Sequence, residues 1–170
     1  RRNLNINKNQ FIKPSEIPPD TLLTVHTQDY LHSLESSFTI ANILEIPQLK
    51  KVPNFILKNR IIKPMLLAAS GTVLGVKTAL EYGWSINLSG GYHHAKSNSG
   101  EGFCIFADIP IALNILWQEK PDIKVLIVDL DAHQGNGIST LLGHDKRVAI
   151  LDMYNSKIYP NDFEAKSNVS

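Results

Sequence analysis

The sequence predicts an α/β fold with three layers, in which helices cover both faces of a mostly parallel sheet. An apolar, β-branched segment at 124–129 is typical of a buried parallel strand. A short helical segment follows from Asn136, and a second strand-like segment spans 147–151. This strand, helix, strand order is typical of parallel sheets. The chain has 170 residues, of which 43% are hydrophobic, so we expect one domain over 1–170 with its own core.

Helices separated by prolines are predicted for the first half of the chain. Pro14, Pro18 and Pro19 favour a loop-rich entry, and a helix is expected over about 27–36. After further prolines, apolar residues recur at helical spacing, and these are Leu66, Ala69, Val73, Val76 and Leu80. The spacing predicts an amphipathic core helix that ends at Gly83.

The stretch between this helix and the sheet is expected to hold a strand, a turn and another helix. Residues 84–88 resemble a short strand, and the two glycines at 90–91 permit a sharp turn after it. Asp108 is predicted to be the N-cap of a helix that has Pro110 in its first turn and ends before Pro121.

Histidine and aspartate side chains follow two of the predicted strands, those at 84–88 and 124–129. His93 and His94 come after the first strand. Asp129, Asp131 and His133 stand two residues apart at the end of the next one, which places them on one side of an extended chain. Open α/β sheets bind ligands at the carboxyl ends of their strands. Carboxylate and imidazole groups together suit zinc or another divalent ion.

Each group also has a purely structural interpretation. Asp131 can cap the following helix, with His133 as an ordinary loop histidine, and His93 and His94 can be turn residues held by backbone groups. Short motifs often match by chance, so the residues alone leave both interpretations open.

Motifs spread over nearly the whole chain resemble the zinc-dependent histone deacetylase family, and most closely its class IV branch. They are Gly-Gly-Tyr-His-His at 90–94, Gly-Phe-Cys at 102–104, Asp-Leu-Asp-Ala-His-Gln-Gly-Asn-Gly at 129–137, Asp-Met-Tyr-Asn at 152–155 and Ile-Tyr-Pro at 158–160. Shorter pieces at 25–27, 30–31, 45–47 and 53–55 resemble the same branch. The resemblance implies the arginase and deacetylase fold and a metal-dependent hydrolase.

By this resemblance, Asp131 and His133 are two ligands of a zinc ion. The family places a third ligand, an Asp, and an oxyanion-binding Tyr in later blocks, so we expect a partial domain whose remaining parts lie beyond Ser170. Tyr92 is not that Tyr, because it precedes the histidine pair. Two ligands would bind zinc weakly, and losing one oxyanion donor typically costs about 10² to 10³ in rate. The isolated chain is expected to be poorly active and to expose a sheet edge that favours aggregation or pairing.

The resemblance also assigns catalytic roles. It pairs His93 with Asp129, and His94 with Asn136. A carboxylate partner raises the pKa of an imidazole, whereas a neutral amide mainly orients the ring. His94 is therefore the candidate general base, and His93 is expected to stay protonated and to stabilise the transition state electrostatically.

Two further features are implied by the resemblance alone. Gly102 and Phe103 would line the tunnel for the acyl-lysine side chain, although a lone Phe is more often part of a core. A monovalent cation site, for potassium, is expected behind the zinc at Asp129, Asp131, His133, Asp152 and Met153.

Composition restricts the partners and the location. A formal net charge of +1, with Lys and Arg spread along the chain, gives no reason to expect direct nucleic-acid binding. No apolar stretch of about 20 residues and no signal peptide are recognised, so no membrane is expected. Cys104 is the only cysteine, which excludes an internal disulfide. A soluble intracellular protein is expected, nuclear or cytoplasmic if the source is eukaryotic.

The first functional hypothesis is a zinc-dependent deacetylase that removes acyl groups from lysines of proteins, histones included. Within the same superfamily, the alternative is a deacetylase of small acylated polyamines. An alternative from another class is a noncatalytic fragment that binds a partner through its exposed sheet.

Overall fold

The computed structural model describes residues 11–168. It begins with three short helices, α1 (Pro19–Leu22), α2 (Gln28–Ser33) and α3 (Ser37–Ile43). The Thr27 hydroxyl caps α2 by accepting a hydrogen bond from the Tyr30 N–H at 3.2 Å. The helix expected over 27–36 is therefore shorter, because Ser36 caps a new helix, α3, instead of extending the first.

A long helical run follows. After a 3₁₀ turn at Pro47–Lys51, it consists of α4 (Asn54–Leu57), a π-helical turn (Lys58–Ile62) and α5 (Lys63–Tyr82). The predicted end of the core helix is confirmed, since Gly83 adopts a left-handed conformation with φ of 89° and closes α5.

This run also corrects one expectation from the sequence. By length and composition alone, the helical run Asn54–Tyr82 is long and apolar enough to cross a membrane. The helices of soluble domains pass the same test. In this protein α5 packs along α6 (Asp108–Glu119), and its buried residues Ala69 and Val73 join the core, so we interpret it as a helix of the domain.

Residues 84–88 do not form the expected strand. They run as irregular chain, and the side chains of Trp84, Ile86 and Leu88 are exposed. The polar residues between them bond to α5 instead: the Ser85 hydroxyl donates to the Gly75 carbonyl at 2.8 Å, and Asn87 donates to Ala68 and Thr72. Apolar and polar residues alternate over 84–88 as they do in a strand. In the described part of the chain, however, no strand lies beside this segment to pair with it.

The second half contains the predicted parallel sheet. Strand β1 (Val125–Asp129) is followed by α7 (Asn136–Leu142) and by strand β2 (Val148–Asp152), which pairs with β1 in parallel so that Asp129 lies opposite Asp152. A last short helix, α8 (Phe163–Ser167), packs against α7. The α/β class and both strands of this unit are confirmed, with boundaries shifted by about one residue.

Two large apolar clusters form most of the core of residues 11–168, and a small third one surrounds Cys104. The larger one joins α1, α2, α3 and α5 around fully buried Ile40, Ile105 and Ile111. The second packs Trp117 of α6, Ile138 of α7 and Ile127 of β1 together. One face of the sheet is thus covered by helices. The opposite face is exposed at Leu126, Val128, Leu130, Leu151 and Met153.

Candidate metal centre

The histidine pair sits on a tight turn anchored by a buried carboxylate. Gly90 and Gly91 have φ of 125° and 74°, which L-residues with side chains rarely adopt, as the sequence predicted for this turn. Asp108 is fully buried and accepts hydrogen bonds from the Gly91 and Tyr92 N–H groups, both at 2.8 Å, and from the Thr72 hydroxyl at 2.5 Å. The turn is therefore held from beneath by the first residue of α6.

Asp108 is not the N-cap that the sequence predicted. It is the first residue of α6, after Ala107, and no side chain caps this helix. Its carboxylate is used by the loop that carries the histidines, so a tertiary contact outcompetes the local one. The sequence did not indicate this role, because an Asp before a Pro-containing helix start is a strong cap signal by itself.

His93 forms a close pair with a carboxylate. Its Nδ1 lies 2.7 Å from Asp129 Oδ2, and its Nε2 lies 4.0 Å from Asp131 Oδ1. Burial lowers the pKa of His93, but the hydrogen bond and the charge of Asp129 outweigh it, so the pKa is raised overall. Burial raises the pKa of Asp129, but the hydrogen bond with His93 opposes this effect, and the pKa is lowered overall. The pair favours a protonated imidazole beside a carboxylate.

His94 has a neutral partner instead. Its Nδ1 lies 2.8 Å from Asn136 Oδ1, and both side chains are buried. Burial is the largest effect and lowers the pKa of His94, with the neighbouring His93 acting in the same direction against the raising effect of the Asn136 hydrogen bond. The two adjacent imidazoles, with ring centroids 4.1 Å apart, are therefore driven towards different protonation states.

Asp131 and His133 lie just past the end of β1. The strand does not continue through them; instead Asp129 accepts from the Asp131 N–H at 3.0 Å, and Asp131 accepts from the His133 N–H at 2.8 Å. These two successive turns, rather than an extended chain, bring the side chains to one side. The hydrogen bond from the His133 N–H is the main reason why the pKa of Asp131 is lowered.

The donor atoms of this pair fit a shared divalent ion. Asp131 Oδ1 and His133 Nδ1 are 3.0 Å apart, and two ligand atoms bound to one zinc ion at about 2.0 to 2.1 Å lie roughly 3 to 3.5 Å apart. Both side chains are about half exposed, which leaves room for an ion and further ligands. Within residues 11–168, no group of three or more His, Cys, Asp or Glu residues that could hold a metal is present.

Asp152 brings a second carboxylate close to Asp129. Its Oδ2 accepts from the Gly135 N–H at 2.8 Å, while its buried Oδ1 has no hydrogen-bond partner. Burial is the main cause of a raised pKa for this carboxyl. An orphaned carboxylate oxygen at this point suits a cation, so Asp152 fits the expected monovalent site. Met153 follows it, and its N–H donates to the Asp129 carbonyl at 3.0 Å.

Gly102 lies directly against the ring of His94. A Cβ at this position would contact the His94 ring, at 3.0 Å from Cγ and 3.1 Å from Nε2, so a side chain there would displace the imidazole. Phe103 has φ of 65° and is 57% exposed, so it is not the core aromatic of the alternative interpretation.

Tyr159 is a site residue to which sequence analysis assigned no role. Its ring packs edge-on to His94 and His133, with centroids 5.4 and 6.4 Å away. Burial is the main cause of its raised pKa, with Glu101 contributing, so Tyr159 stays a neutral phenol. Its place in the Ile-Tyr-Pro motif was the available signal, but the contact with the histidines depends on the tertiary fold.

Comparisons with known proteins agree with these features. A model of the histone deacetylase domain family matches residues 1–169. Histone deacetylase 2 of Arabidopsis thaliana is 45% identical over 156 residues, which are 92% of this chain and 40% of that protein. The crystal structure of an HDAC homologue from Aquifex aeolicus matches with a TM-score of 0.67 and 25% identity, over 94% of this chain and 43% of that chain. A structure of an HDAC homologue complexed with SAHA matches equally well.

The chain therefore spans about two fifths of the length of these relatives. The structural neighbours confirm the arginase and deacetylase-like α/β fold that the motifs predicted.

Proposed function

Because the chain belongs to the histone deacetylase family, we propose that it serves the zinc-dependent hydrolysis of acyl-lysine amides in proteins. The observation that carries this proposal is the convergence of two differently partnered histidines on the Asp131 and His133 pair. Two imidazoles with opposite pKa shifts, next to a metal-binding pair, are what amide hydrolysis requires for proton transfer and charge stabilisation.

In this proposal, Asp131 and His133 hold a zinc ion that supplies Lewis acidity to the reaction. His94, neutral because of burial, accepts the proton of the attacking water. His93, kept protonated by Asp129, faces the site with a positive charge that stabilises the developing oxyanion. The proton held by His94 is then available to the departing lysine amine.

The third metal ligand and the oxyanion-binding tyrosine are proposed to come from outside residues 11–168. Support comes from the presence of two well-placed ligands without a third in that part of the chain. Catalytic zinc sites normally use three protein ligands and leave one position for water.

We also propose potassium at the cation site beside Asp129, with Asp152 as a ligand. The orphaned Asp152 Oδ1 supports this assignment. Gly102, Phe103 and the ring of Tyr159 are proposed to form the wall along which the acyl-lysine approaches His94, since Gly102 contacts its ring. The shorter pieces at 25–27, 30–31, 45–47 and 53–55, together with the motif blocks, support placement in the class IV branch.

Metal binding by the 170-residue chain is the direct test of the site. We expect zinc to bind weakly to the wild type, as measured by competition with a chromogenic chelator, and binding to be lost in Asp131→Ala. Asp122→Ala is the matched control, because Asp122 is an exposed aspartate away from the site. Equal affinity in wild type and Asp131→Ala would contradict the ligand assignment.

Substrate class needs a separate assay. Acyl-lysine peptides with short and long acyl chains, and an acetylated polyamine, are incubated with the zinc-loaded chain, and amine release is measured. Preference for the peptides supports the proposal. Preference for the polyamine would favour the small-molecule alternative, and binding of zinc without turnover of either substrate would favour a noncatalytic role for the isolated chain.

A further inference from the structure

A charged cluster lies behind His94, on the far side of Asn136. The Asn136 side-chain amide donates to Glu101 Oε1 at 2.6 Å and, more weakly, to Asp162 Oδ2 at 3.4 Å. Lys96 Nζ lies 3.0 Å from Asp162 Oδ2 and 3.5 Å from Glu101 Oε1, so one cation holds the two carboxylates together. The motifs that pointed to the site include neither Lys96 nor Glu101.

The cluster decides which way the Asn136 amide faces. Two carboxylate oxygens accept hydrogen bonds and cannot donate them, so the NH₂ group of Asn136 must point at them. A flipped amide would place its oxygen against two negative charges. The Asn136 oxygen is thereby directed at His94 Nδ1, 2.8 Å away.

An oxygen facing Nδ1 in turn decides the tautomer of His94. Nδ1 must carry the proton and donate it to Asn136, which leaves the lone pair on Nε2. The hydrogen bonds between Asn136 and Glu101 and between His94 and Asn136 are short, at 2.6 and 2.8 Å, and Asn136 itself is 1% exposed, so water does not readily replace the partners.

We propose that Lys96, Glu101 and Asp162 form an anchor that positions Asn136 and thereby holds His94 with its proton on Nδ1. They are positioning residues, since they reach the reaction through two other side chains. The inference rests on the proposed function only for its catalytic meaning, which is that Nε2 is kept free to accept a proton. The tautomer itself exists without metal or substrate.

The anchor is also mechanically tied to the fold. Asp162 caps α8 through the Ala165 N–H at 3.0 Å, and its own backbone exchanges two hydrogen bonds with the side chain of Gln134, each at 2.9 Å. Lys96 and Asp162 are 66 residues apart in sequence. The anchor therefore connects the loop after the histidine pair with the last described helix.

The test is nitrogen NMR of the ¹⁵N-labelled, metal-free 170-residue chain, at a pH well above the ordinary pKa of histidine. His94→Gln assigns the His94 signals. We expect the wild type to show a protonated Nδ1, in at least about tenfold excess over the other tautomer. A wild-type His94 that carries its proton on Nε2 would overturn the proposal.

Variants of the anchor test the cause. Glu101→Ala combined with Asp162→Asn removes both carboxylates while keeping a side chain that caps α8. In this double variant we expect the His94 Nδ1 signal to move towards the unprotonated position. Combining Asp162→Asn with Glu101→Gln instead, which retains an acceptor oxygen at residue 101, should restore the wild-type signal. An unchanged His94 tautomer in the Glu101→Ala double variant would show that the anchor is not needed.

Two controls keep the result interpretable. His26 is buried, and its Nε2 accepts from the Ala107 N–H at 3.0 Å, so its tautomer should stay constant in every folded variant. If the double variant loses the His26 signal, Glu101→Ala alone takes its place, because it removes the shorter of the two hydrogen bonds that orient the Asn136 amide. We expect a smaller shift in the same direction, and its absence would contradict the proposal. A failed hydrolysis assay leaves these readouts unaffected, so the two proposals fail separately.

Discussion

His26 is a buried histidine whose neutral form belongs to the folded protein. It is 1% exposed, and burial lowers its pKa to about 4. The unfolded chain binds a proton at a pKa near 6.5, so it gains protons that the folded chain excludes. We expect stability to fall by up to about 3 kcal/mol as the pH drops from about 6.5 to about 4.

Urea unfolding at several pH values measures this effect. In His26→Gln the fall between about pH 6.5 and 4 should be much smaller, because the titrating group is gone. His32→Gln is the matched control, since His32 is exposed, and it should behave like the wild type. An unchanged pH dependence in His26→Gln would show that other groups cause the acid loss.

Asp108 is expected to contribute more to stability than any exposed aspartate. Its replacement by Ala leaves the Gly91 and Tyr92 N–H groups and the Thr72 hydroxyl without their acceptor. An unsatisfied donor costs about 1 to 3 kcal/mol when buried, and these three hydrogen bonds are partly buried, so we expect a loss of about 2 to 3 kcal/mol in the free energy of unfolding. Asp122→Ala should stay within about 0.5 kcal/mol of the wild type. A comparably small loss in Asp108→Ala would refute the anchoring role.

Helix α7 approaches the histidine loop so closely that only glycine fits at its second residue. A Cβ on Gly137 would overlap the Ala95 carbonyl and lie 2.6 Å from the His94 carbonyl carbon. Backbone cannot rotate away as a side chain can. We expect Gly137→Ala to lower stability by about 1 to 3 kcal/mol, despite the better helix propensity of Ala.

Gly75→Ala makes the same change inside α5 with a different outcome. There a Cβ meets only the Ser85 hydroxyl, at 3.3 Å, and a shift of a few tenths of an ångström relieves this contact while the hydroxyl keeps its hydrogen bond to the Gly75 carbonyl. We expect a result between neutral and about 1 kcal/mol of stabilisation, measured by the same unfolding experiment. Equal losses in both variants would mean that α7 does not press on the histidine loop.

Considered as a whole, the described part of the protein leaves one sheet face without a cover. Leu126 and Val128 are exposed on β1, whereas Ile127 between them is buried. Parallel sheets are usually covered on both faces, so this surface is prone to association. We expect Leu126→Thr with Val128→Thr to reduce self-association in sedimentation experiments and to change the free energy of unfolding by less than about 1 kcal/mol.

Ile127→Thr is the comparison for that double variant, because it places the same hydroxyl on the covered face. It should cost about 2 kcal/mol or more. If the exposed pair costs as much as Ile127, the outer face is covered in solution and is not a free surface.

Local sequence determined the elements and the chemistry of the site. Apolar, β-branched runs located β1 and β2, Gly83 ended α5, and the motifs around His93 and Asp129 identified the family. These signals are local because propensity, capping and strand periodicity act within a few residues.

Tertiary structure decided which of these local options were used. Asp108 accepts from the Gly91 N–H, 17 residues earlier, instead of capping its own helix. Residues 84–88 bond to α5 instead of pairing with a strand. The anchor behind His94 joins Lys96 to Asp162, 66 residues apart. Such contacts depend on how helices and loops pack, and no short sequence pattern encodes them, because a charged side chain is satisfied by whichever partner the fold brings within hydrogen-bond distance.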